Sequence, residues 1–217
     1  MKHGYTNDTR RSGEAVHKTY QGPDAANRQA AEQLALSRLG GAVPLPGVIA
    51  SGPGWLDLEF ISGRHGQELL DDGSEVAVLY ECGRVLRALH ELDPRTIDST
   101  APSNVVIQHG DFGPNNVLFD ADAHIIAVLD WEFCTVGAPI ADIAWCEWIV
   151  RMHHPAVADA MRHFFSAYGS IPPWQERQAE MIRRCRWLQD FTARWDPNGL
   201  GVAVWQERAS VVESWNE

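Results

Sequence analysis

The side chains best suited to chemistry in this 217-residue chain lie between positions 106 and 130. Asp111 is followed five residues later by Asn116, and a second aspartate, Asp130, closes the segment. Carboxylate and amide oxygens are ligands that Mg²⁺ accepts together with water and phosphate oxygens. Phosphoryl transfer needs a carboxylate that positions the incoming hydroxyl and oxygen ligands that hold the metal behind the phosphates. The segment predicts this chemistry if the fold brings the three side chains together.

Short strands must position these residues. Three apolar runs predict strands, at 105–108, 116–119 and 125–129. Turn-forming residues at 120–123 predict a hairpin between the last two. Asp111 then lies in a loop after the first strand, Asn116 begins the second, and the hairpin returns the chain so that Asp130 lies at the same end.

The regions on either side of this segment differ in character. Before it, a strand at 14–20 carries Lys18, and a helix with Asp24 as its predicted N-cap ends at Gly40. The remaining predicted elements are strands at 47–51 and 55–61, a helix at 74–92 and helices almost throughout after 139. The sequence therefore predicts a small β-rich part followed by a larger helical part.

The segment around Asp111 resembles the motif of the aminoglycoside phosphotransferase and choline kinase family, relatives of the protein kinases. That motif, H-G-D-x-x-x-x-N followed by a short hairpin and a second aspartate, matches HGDFGPNNVLFDADAHIIAVLDWE. The resemblance implies that Asp111 is the catalytic base or the group that orients the hydroxyl, that Asn116 and Asp130 bind Mg²⁺, and that ATP or GTP donates the phosphate. It also implies structural roles for His109 and for Asp142, which lies in the similar segment GAPIADIAW.

The resemblance extends to the N-terminal residues. A kinase-like site needs a strand lysine that pairs the nucleotide phosphates and a helix glutamate that holds the lysine. Lys18, the only lysine beyond position 2, and Glu32 match this pair. The remaining implied nucleotide contacts are Thr6, Asn7 and Thr9 in a phosphate-positioning loop, and the backbone of Glu59 and Ile61 at an adenine-binding hinge.

The fold implied by the resemblance is a two-lobe, protein-kinase-like fold of the α+β class. Residues 1–62 form the expected N-terminal nucleotide-binding lobe, and residues 63–217 form the mainly helical lobe with the catalytic loop and acceptor site. The phosphate-positioning loop begins at residue 4, so the strand that precedes it in the family is nearly absent. We therefore expect a shortened N-terminal lobe.

The acceptor is predicted to be a cation. The chain has 18 Lys and Arg against 29 Asp and Glu, a net charge of −11, and it contains 9 Trp. Carboxylates neutralise amines, and indole faces attract ammonium groups. The predicted acceptor contacts are Glu132, Trp131, Glu147 and Asp190. The favoured function is a kinase for an aminoglycoside-like antibiotic, with a choline-like amino alcohol as the alternative acceptor.

Other classes of protein fit less well. A non-catalytic nucleotide-binding module remains an alternative function because the predicted N-terminal lobe is short. A protein kinase is disfavoured because the second aspartate stands in D-W-E and not in D-F-G, and because the A-P-E motif is missing. The acidic balance disfavours nucleic acid, and the lack of an 18-residue apolar run or an N-terminal apolar leader disfavours a membrane protein. Four scattered cysteines indicate free thiols in the cytoplasm.

Overall fold

The computed structural model describes residues 7–217, beginning with a four-stranded antiparallel sheet in the order β1-β2-β4-β3. The elements of this part are β1 Asn7–Ser12, β2 Ala15–Tyr20, α1 Ala25–Arg38, β3 Val48–Gly52 and β4 Trp55–Glu59. Alternate residues of a strand share a face, so Lys18 and Tyr20 lie together on the buried side of β2. Both hydrogen bond to Glu32, which joins the sheet to α1.

Two smaller antiparallel sheets follow, one in the order β5-β7-β8 and one formed by β6 and β9. Their strands are β5 Arg64–His65, β6 Val106–Gln108, β7 Val117–Phe119, β8 Ile125–Val128 and β9 Thr135–Gly137. Strands β7 and β8 form the predicted hairpin, in which the Asp120 carboxylate accepts the backbone N–H groups of Asp122 and His124. The loops before and after this hairpin carry the residues of the predicted site.

The rest of the chain is mainly helical. Its helices are α2 Gly66–Asp71, α3 Glu75–His90, α4 Ile140–His153, α5 Met161–Tyr168, α6 Trp174–Trp195 and α7 Leu200–Glu213. Helix α3 packs on α5, and α6 packs on both α4 and α7. Helix α4 is buried without interruption from Asp142 to Val150, so it is the central element of this region.

The predicted mixture of a small sheet and a larger helical part is confirmed. One predicted cap is wrong: Asp24 precedes α1 in a left-handed conformation and its side chain makes no cap hydrogen bond. Its carboxylate pairs instead with Arg194, 2.8 Å away. Strand β1 was not predicted, because its polar sequence has none of the apolar alternation that marks a half-buried strand.

Two further features are the apolar character of the helices and the state of the cysteines. Within residues 7–217, no helix combines the length and apolar character needed to cross a membrane. The four cysteines are all free and buried, as predicted for reduced thiols.

Candidate active site

The loop after β6 holds Asp111 through both of its carboxylate oxygens. The Trp145 indole Nε1–H donates to Oδ1 at 2.6 Å, and the Asn116 Nδ2–H donates to Oδ2 at 2.8 Å. The same Asn116 nitrogen also donates to the Asp111 backbone carbonyl at 2.8 Å. Gly110 enables the turn before Asp111, since its φ is 82° and a Cβ there would lie 2.5 Å from the Phe133 carbonyl oxygen.

Asp142, in the first turn of α4, fixes the backbone of this loop. Its carboxylate accepts the backbone N–H groups of His109 and Gly110, each at 2.8 Å, and contacts His90 Nε2 at 3.2 Å. Burial raises the pKa of this carboxyl, but the His90 contact, the nearby His109 and the Gly110 N–H outweigh burial and lower the pKa. Asp142 is therefore an ionised group that holds the loop and has no exposed surface of its own.

His109 joins the loop to the strand before Asp130. Its Nδ1 accepts the Asp111 backbone N–H at 3.1 Å, and its Nε2 lies 2.9 Å from the Leu129 carbonyl oxygen. These two contacts assign the ring proton to Nε2. Burial lowers the pKa of His109, so the ring is neutral and serves as a structural link.

Lys18 connects the sheet to Asp130. Its Nζ donates to Asp130 Oδ1 at 2.6 Å and to Glu32 Oε2 at 2.5 Å, and the Tyr20 hydroxyl also donates to Glu32 at 2.5 Å. Burial lowers the pKa of Lys18, but the surrounding charges of Asp130, Glu32 and Glu132 outweigh burial and raise it. The lysine is thus a fixed cation beside the second aspartate of the motif.

The electrostatics around Asp111 suit a proton acceptor. Burial and the charge of Asp130 raise its pKa from 3.8 to about 7. The hydrogen bonds from Trp145 and Asn116 and the charge of Arg184 oppose the rise. A general base works best when its pKa lies near the working pH, so this carboxylate is poised to orient or deprotonate a hydroxyl.

The predicted metal ligands suit Mg²⁺. Leu129 N–H donates to the Asn116 carbonyl at 2.8 Å, so Asp130 follows directly beside Asn116. Asn116 donates to Asp111 through its amide nitrogen, which leaves its side-chain oxygen as a hard oxygen donor, and Asp130 is partly exposed. In the described part of the chain, no three His, Cys, Asp or Glu side chains form a metal cluster. An ion here would take further ligands from phosphate and water.

The residues predicted to form the phosphate-positioning loop are not found in a loop where the structure describes them. Thr6 lies outside the described residues. Asn7 and Thr9 lie on strand β1 and not in a loop before the lysine strand. Asn7 donates to Glu132 at 2.9 Å, and Thr9 is exposed opposite Lys18. A phosphate-positioning loop built from these residues is therefore not present at 7–9, where backbone groups pair with β2.

The predicted hinge residues follow the sheet. Glu59 ends β4, and its carboxylate accepts the Gly47 N–H at 3.2 Å. Ile61 lies just beyond the strand, two residues before Gly63. Their position between the first sheet and β5 is where a connection between the two parts of the chain must run, but the hinge role stays a prediction.

Three of the four predicted acceptor contacts are corrected. Trp131 is fully buried, its indole donates to the Val128 carbonyl at 2.9 Å, and its ring packs 4.5 Å from His109. Glu147 has no exposed surface because it pairs with Arg177 at 2.5 Å. Such side chains cannot contact an acceptor.

Glu132 is also bound within the protein. It is 3% exposed and forms a buried ion pair with Arg28, which ties the residue after the motif to α1. Asp190 is exposed on α6 and remains accessible. The sequence shows that Glu132 and Glu147 lie near the motif along the chain. It does not show that arginine side chains of the protein already neutralise both carboxylates.

Two residues beside Asp111 were missed. Trp145 follows Asp142 by three residues on α4, and this helical spacing could have placed both on the face toward the loop. Arg184 of α6 donates through Nη2 to the Gly110 carbonyl at 2.6 Å, and its Cζ lies 4.2 Å from the Trp187 ring centroid. No local sequence signal links Arg184 to a loop 74 residues away.

Known proteins share parts of this sequence and fold. The sequence model of the phosphotransferase enzyme family, APH, matches residues 95–179, which include the whole motif. A solved aminoglycoside phosphotransferase in complex with GDP and kanamycin aligns with a TM-score of 0.78 at 11% identity, covering 100% of this chain and 93% of that one. A gentamicin complex of a related enzyme aligns with a TM-score of 0.71 at 13% identity, covering 97% and 89%.

The chain has the protein-kinase-like fold of the aminoglycoside phosphotransferases. The resemblance found in the sequence to this family is thereby confirmed. Acyl-CoA dehydrogenase family member 11 of Homo sapiens is 29% identical over 89 residues, which are 41% of this chain and 11% of that protein. Member 10 of Mus musculus is 50% identical over 38 residues, 17% of this chain and 4% of that protein. The chain thus spans only 11% and 4% of the length of these two curated relatives.

Proposed function

We propose that this protein is a small-molecule kinase that transfers the γ-phosphate of ATP or GTP to a hydroxyl group. The observation that carries the proposal is the position of Asp111, whose two oxygens are held by Trp145 and Asn116 beside the Lys18–Asp130 pair. The family match over 95–179 and the fold support a phosphotransferase. Relatives solved with ATP, GDP and AMP-PNP support a nucleotide donor.

The proposed roles follow from the contacts. Asp111 accepts the hydroxyl proton while the hydroxyl oxygen forms its bond to the γ-phosphorus and the bond to the β,γ-bridging oxygen breaks. Lys18 neutralises the nucleotide phosphates and is held by Glu32. Asn116 and Asp130 would hold Mg²⁺, which when bound neutralises charge on the phosphates. His109 and Asp142 keep the loop in place. Catalysis is then mainly positioning and charge neutralisation.

The boundary between the lobes, the class of acceptor and the cellular location are also proposals. The two-lobe division at 62/63 agrees with the end of the first sheet at Glu59 and the start of β5 at Arg64. A cationic, aminoglycoside-like acceptor is favoured by the net charge of −11 and by relatives solved with streptomycin, gentamicin and kanamycin. Four buried free thiols favour the reducing cytoplasm.

A non-catalytic nucleotide-binding module is the second candidate. The polar β1 strand favours it, because Asn7 is engaged with Glu132 and Arg28 and not directed to a phosphate. The complete set around Asp111 argues for transfer, since a module that only senses nucleotide has no use for a base with a pKa near neutrality.

The test is a nucleotide and acceptor screen on the whole protein. Thermal unfolding with Mg-ATP and Mg-GTP should show a magnesium-dependent rise in Tm, because a ligand of the folded state stabilises it by about 2.7 kcal/mol at one hundred times Kd. Release of ADP or GDP is then measured with hydroxyl compounds of each charge class, together with Asp111→Asn. Nucleotide binding without acceptor-dependent release would favour the module, and unchanged release by the variant would refute the proposed base.

A further inference from the structure

One face of α6 lies against the loop that carries Asp111. Arg184, Trp187 and Phe191 recur at i, i+3 and i+7 and therefore share this face. Phe133, three residues after Asp130, completes an aromatic wall: its ring lies 5.5 Å from Trp187 and 6.0 Å from Phe191. We call these four residues the α6 wall.

The α6 wall carries positive charge and no carboxylate. The Arg184 guanidinium stacks on Trp187, with Cζ at 4.2 Å from the ring centroid, and lies 5.3 Å from Phe133. Asp190 precedes Phe191 by one residue and therefore points about 100° away around the helix. It is exposed and does not belong to the wall.

Arg184 has a side-chain donor that no described protein group uses. Arg28 and Arg194, which both lie over the Phe191 ring, pair with Glu132 and Asp24. Arg184, in contrast, makes no ion pair with any carboxylate between residues 7 and 217. Its Nη2 donates to the Gly110 carbonyl, and its buried Nε–H has no partner among the described residues. A guanidinium in this state can still donate hydrogen bonds to a further group.

We infer that the acceptor of this kinase carries an oxyanion, a carboxylate or a phosphate, that Arg184 binds against the α6 wall. The inference rests on the proposed phosphate transfer, and it replaces the cationic acceptor that the net charge and the solved relatives favour with an anionic one. Arginine binds both oxyanions through its planar fork. The partly exposed rings of Phe133 and Trp187 would accommodate the apolar part of the molecule, while Phe191 is buried behind them. The carboxylates expected to attract a cation, Glu132 and Glu147, are occupied by Arg28 and Arg177. An ammonium group placed at the α6 wall would lie beside the positive charge of Arg184.

The reaction balances with this acceptor. Its hydroxyl oxygen forms a bond to the γ-phosphorus, the hydroxyl proton passes to Asp111, and the nucleoside diphosphate leaves with the β,γ-bridging oxygen. The product is a phosphate monoester that retains the original oxyanion. Arg184 forms no bond in this step; it is a specificity-determining residue that positions the acceptor by its charge.

The experiment compares acceptors that share one skeleton and differ in charge. Glucose, glucuronate, glucose 6-phosphate and glucosamine supply neutral, carboxylate, phosphate and ammonium members, and kanamycin and simple hydroxy acids extend the set. The readout is kcat/KM for phosphate transfer and the ratio between charged and neutral members. We expect oxyanion acceptors to exceed their neutral and ammonium counterparts, and the carboxylate and phosphate arms to show which oxyanion is preferred.

Variants decide whether Arg184 causes the preference. Arg184→Met should lower the oxyanion-to-neutral ratio by about 10- to 100-fold, the range expected for a hydrogen bond to a charged group. Arg184→Lys, which keeps the charge without the fork, should retain part of the ratio. Arg183→Met is the matched control, since its side chain is exposed and pairs with Glu180, and it should leave the ratio unchanged. An equal loss for all acceptors would overturn the inference and leave Arg184 as a support for Gly110.

A binding measurement tests the oxyanion site independently of the proposed phosphate transfer. Calorimetric titration of glucuronate and glucose 6-phosphate into the protein with Mg-AMP-PNP requires no turnover. Binding that Arg184→Met abolishes supports the oxyanion site even if no phosphate is transferred, in which case the proposed function fails alone. Faster transfer to amines than to oxyanions, or oxyanion binding that is the same in Arg184→Met, would overturn the inference while the kinase assignment stands.

Discussion

Replacing Asp111 with asparagine should remove activity and, at high pH, stabilise the protein. Burial and the charge of Asp130 raise the pKa of Asp111 from 3.8 to about 7. The folded protein therefore binds this proton more tightly than the unfolded chain does. The stability due to the proton is fully present below pH about 4 and is lost as the pH rises through about 7.

The magnitude follows from the pKa difference. About 3 pKa units correspond to about 4 kcal/mol of lost stability once the carboxyl is ionised at pH 8. Asparagine avoids this loss because it carries no charge, and its oxygen can still accept the Trp145 N–H. Its amide nitrogen cannot accept the Asn116 N–H that now reaches Oδ2, which costs about 1–2 kcal/mol. The net expectation is a gain of about 2–3 kcal/mol at pH 8 and about none at pH 4.5.

The assay is urea unfolding of the metal-free protein at pH 8 and pH 4.5, with transfer measured at pH 8. Loss of a general base should lower kcat by about 100- to 10,000-fold. Asp122→Asn, an exposed carboxyl in the β7–β8 hairpin, is the control and should change neither quantity appreciably. If Asp111→Asn were less stable than the parent at pH 8, or if the stability difference were independent of pH, the electrostatic account of this site would be wrong.

Three further substitutions test other parts of the site. Lys18→Met leaves two carboxylates without their buried cation, so urea unfolding should show a loss of about 3–5 kcal/mol, while Lys18→Arg should lose less. Trp145→Phe removes one donor to the Asp111 carboxylate and should raise the pH midpoint of kcat by about one unit, whereas Trp148→Phe, on the stacked neighbouring ring, should not. Glu147→Gln removes the buried negative charge that Arg177 and Arg151 share, so it should destabilise by about 3 kcal/mol but leave the acceptor KM unchanged, and a raised KM would restore its predicted acceptor role.

The sequence predicted the hairpin and the proximity of Asp111, Asn116 and Asp130 because these parts are close along the chain. Asp111, Asn116 and Asp130 are separated by one short hairpin, and a hairpin has few ways to fold. The pairing of Lys18 with Glu32 was available only through the family resemblance, since 14 residues and a change from strand to helix separate them. The resemblance did not locate β1, whose polar residues pair through backbone groups that carry no side-chain signal.

The acceptor residues were harder to predict because a charged side chain does not reveal its partner. Glu132 lies 104 residues from Arg28, and Glu147 lies 30 residues from Arg177. In the sequence each is an acid near the motif, equally suited to a ligand or to an internal arginine. Only the packing of α1 and α6 against this region shows that the protein itself supplies the cation.

Net charge is also a poor guide to the sign of the potential at one site. The value of −11 is the sum of all positive and negative side chains in the sequence, and at physiological salt a charge is largely screened beyond about 8 Å. Arg184 acts within that distance and in partly buried surroundings, where screening is weaker. An acidic protein can therefore present a positive wall to its acceptor, and the ratio of rates for oxyanion and ammonium acceptors measures that local potential directly.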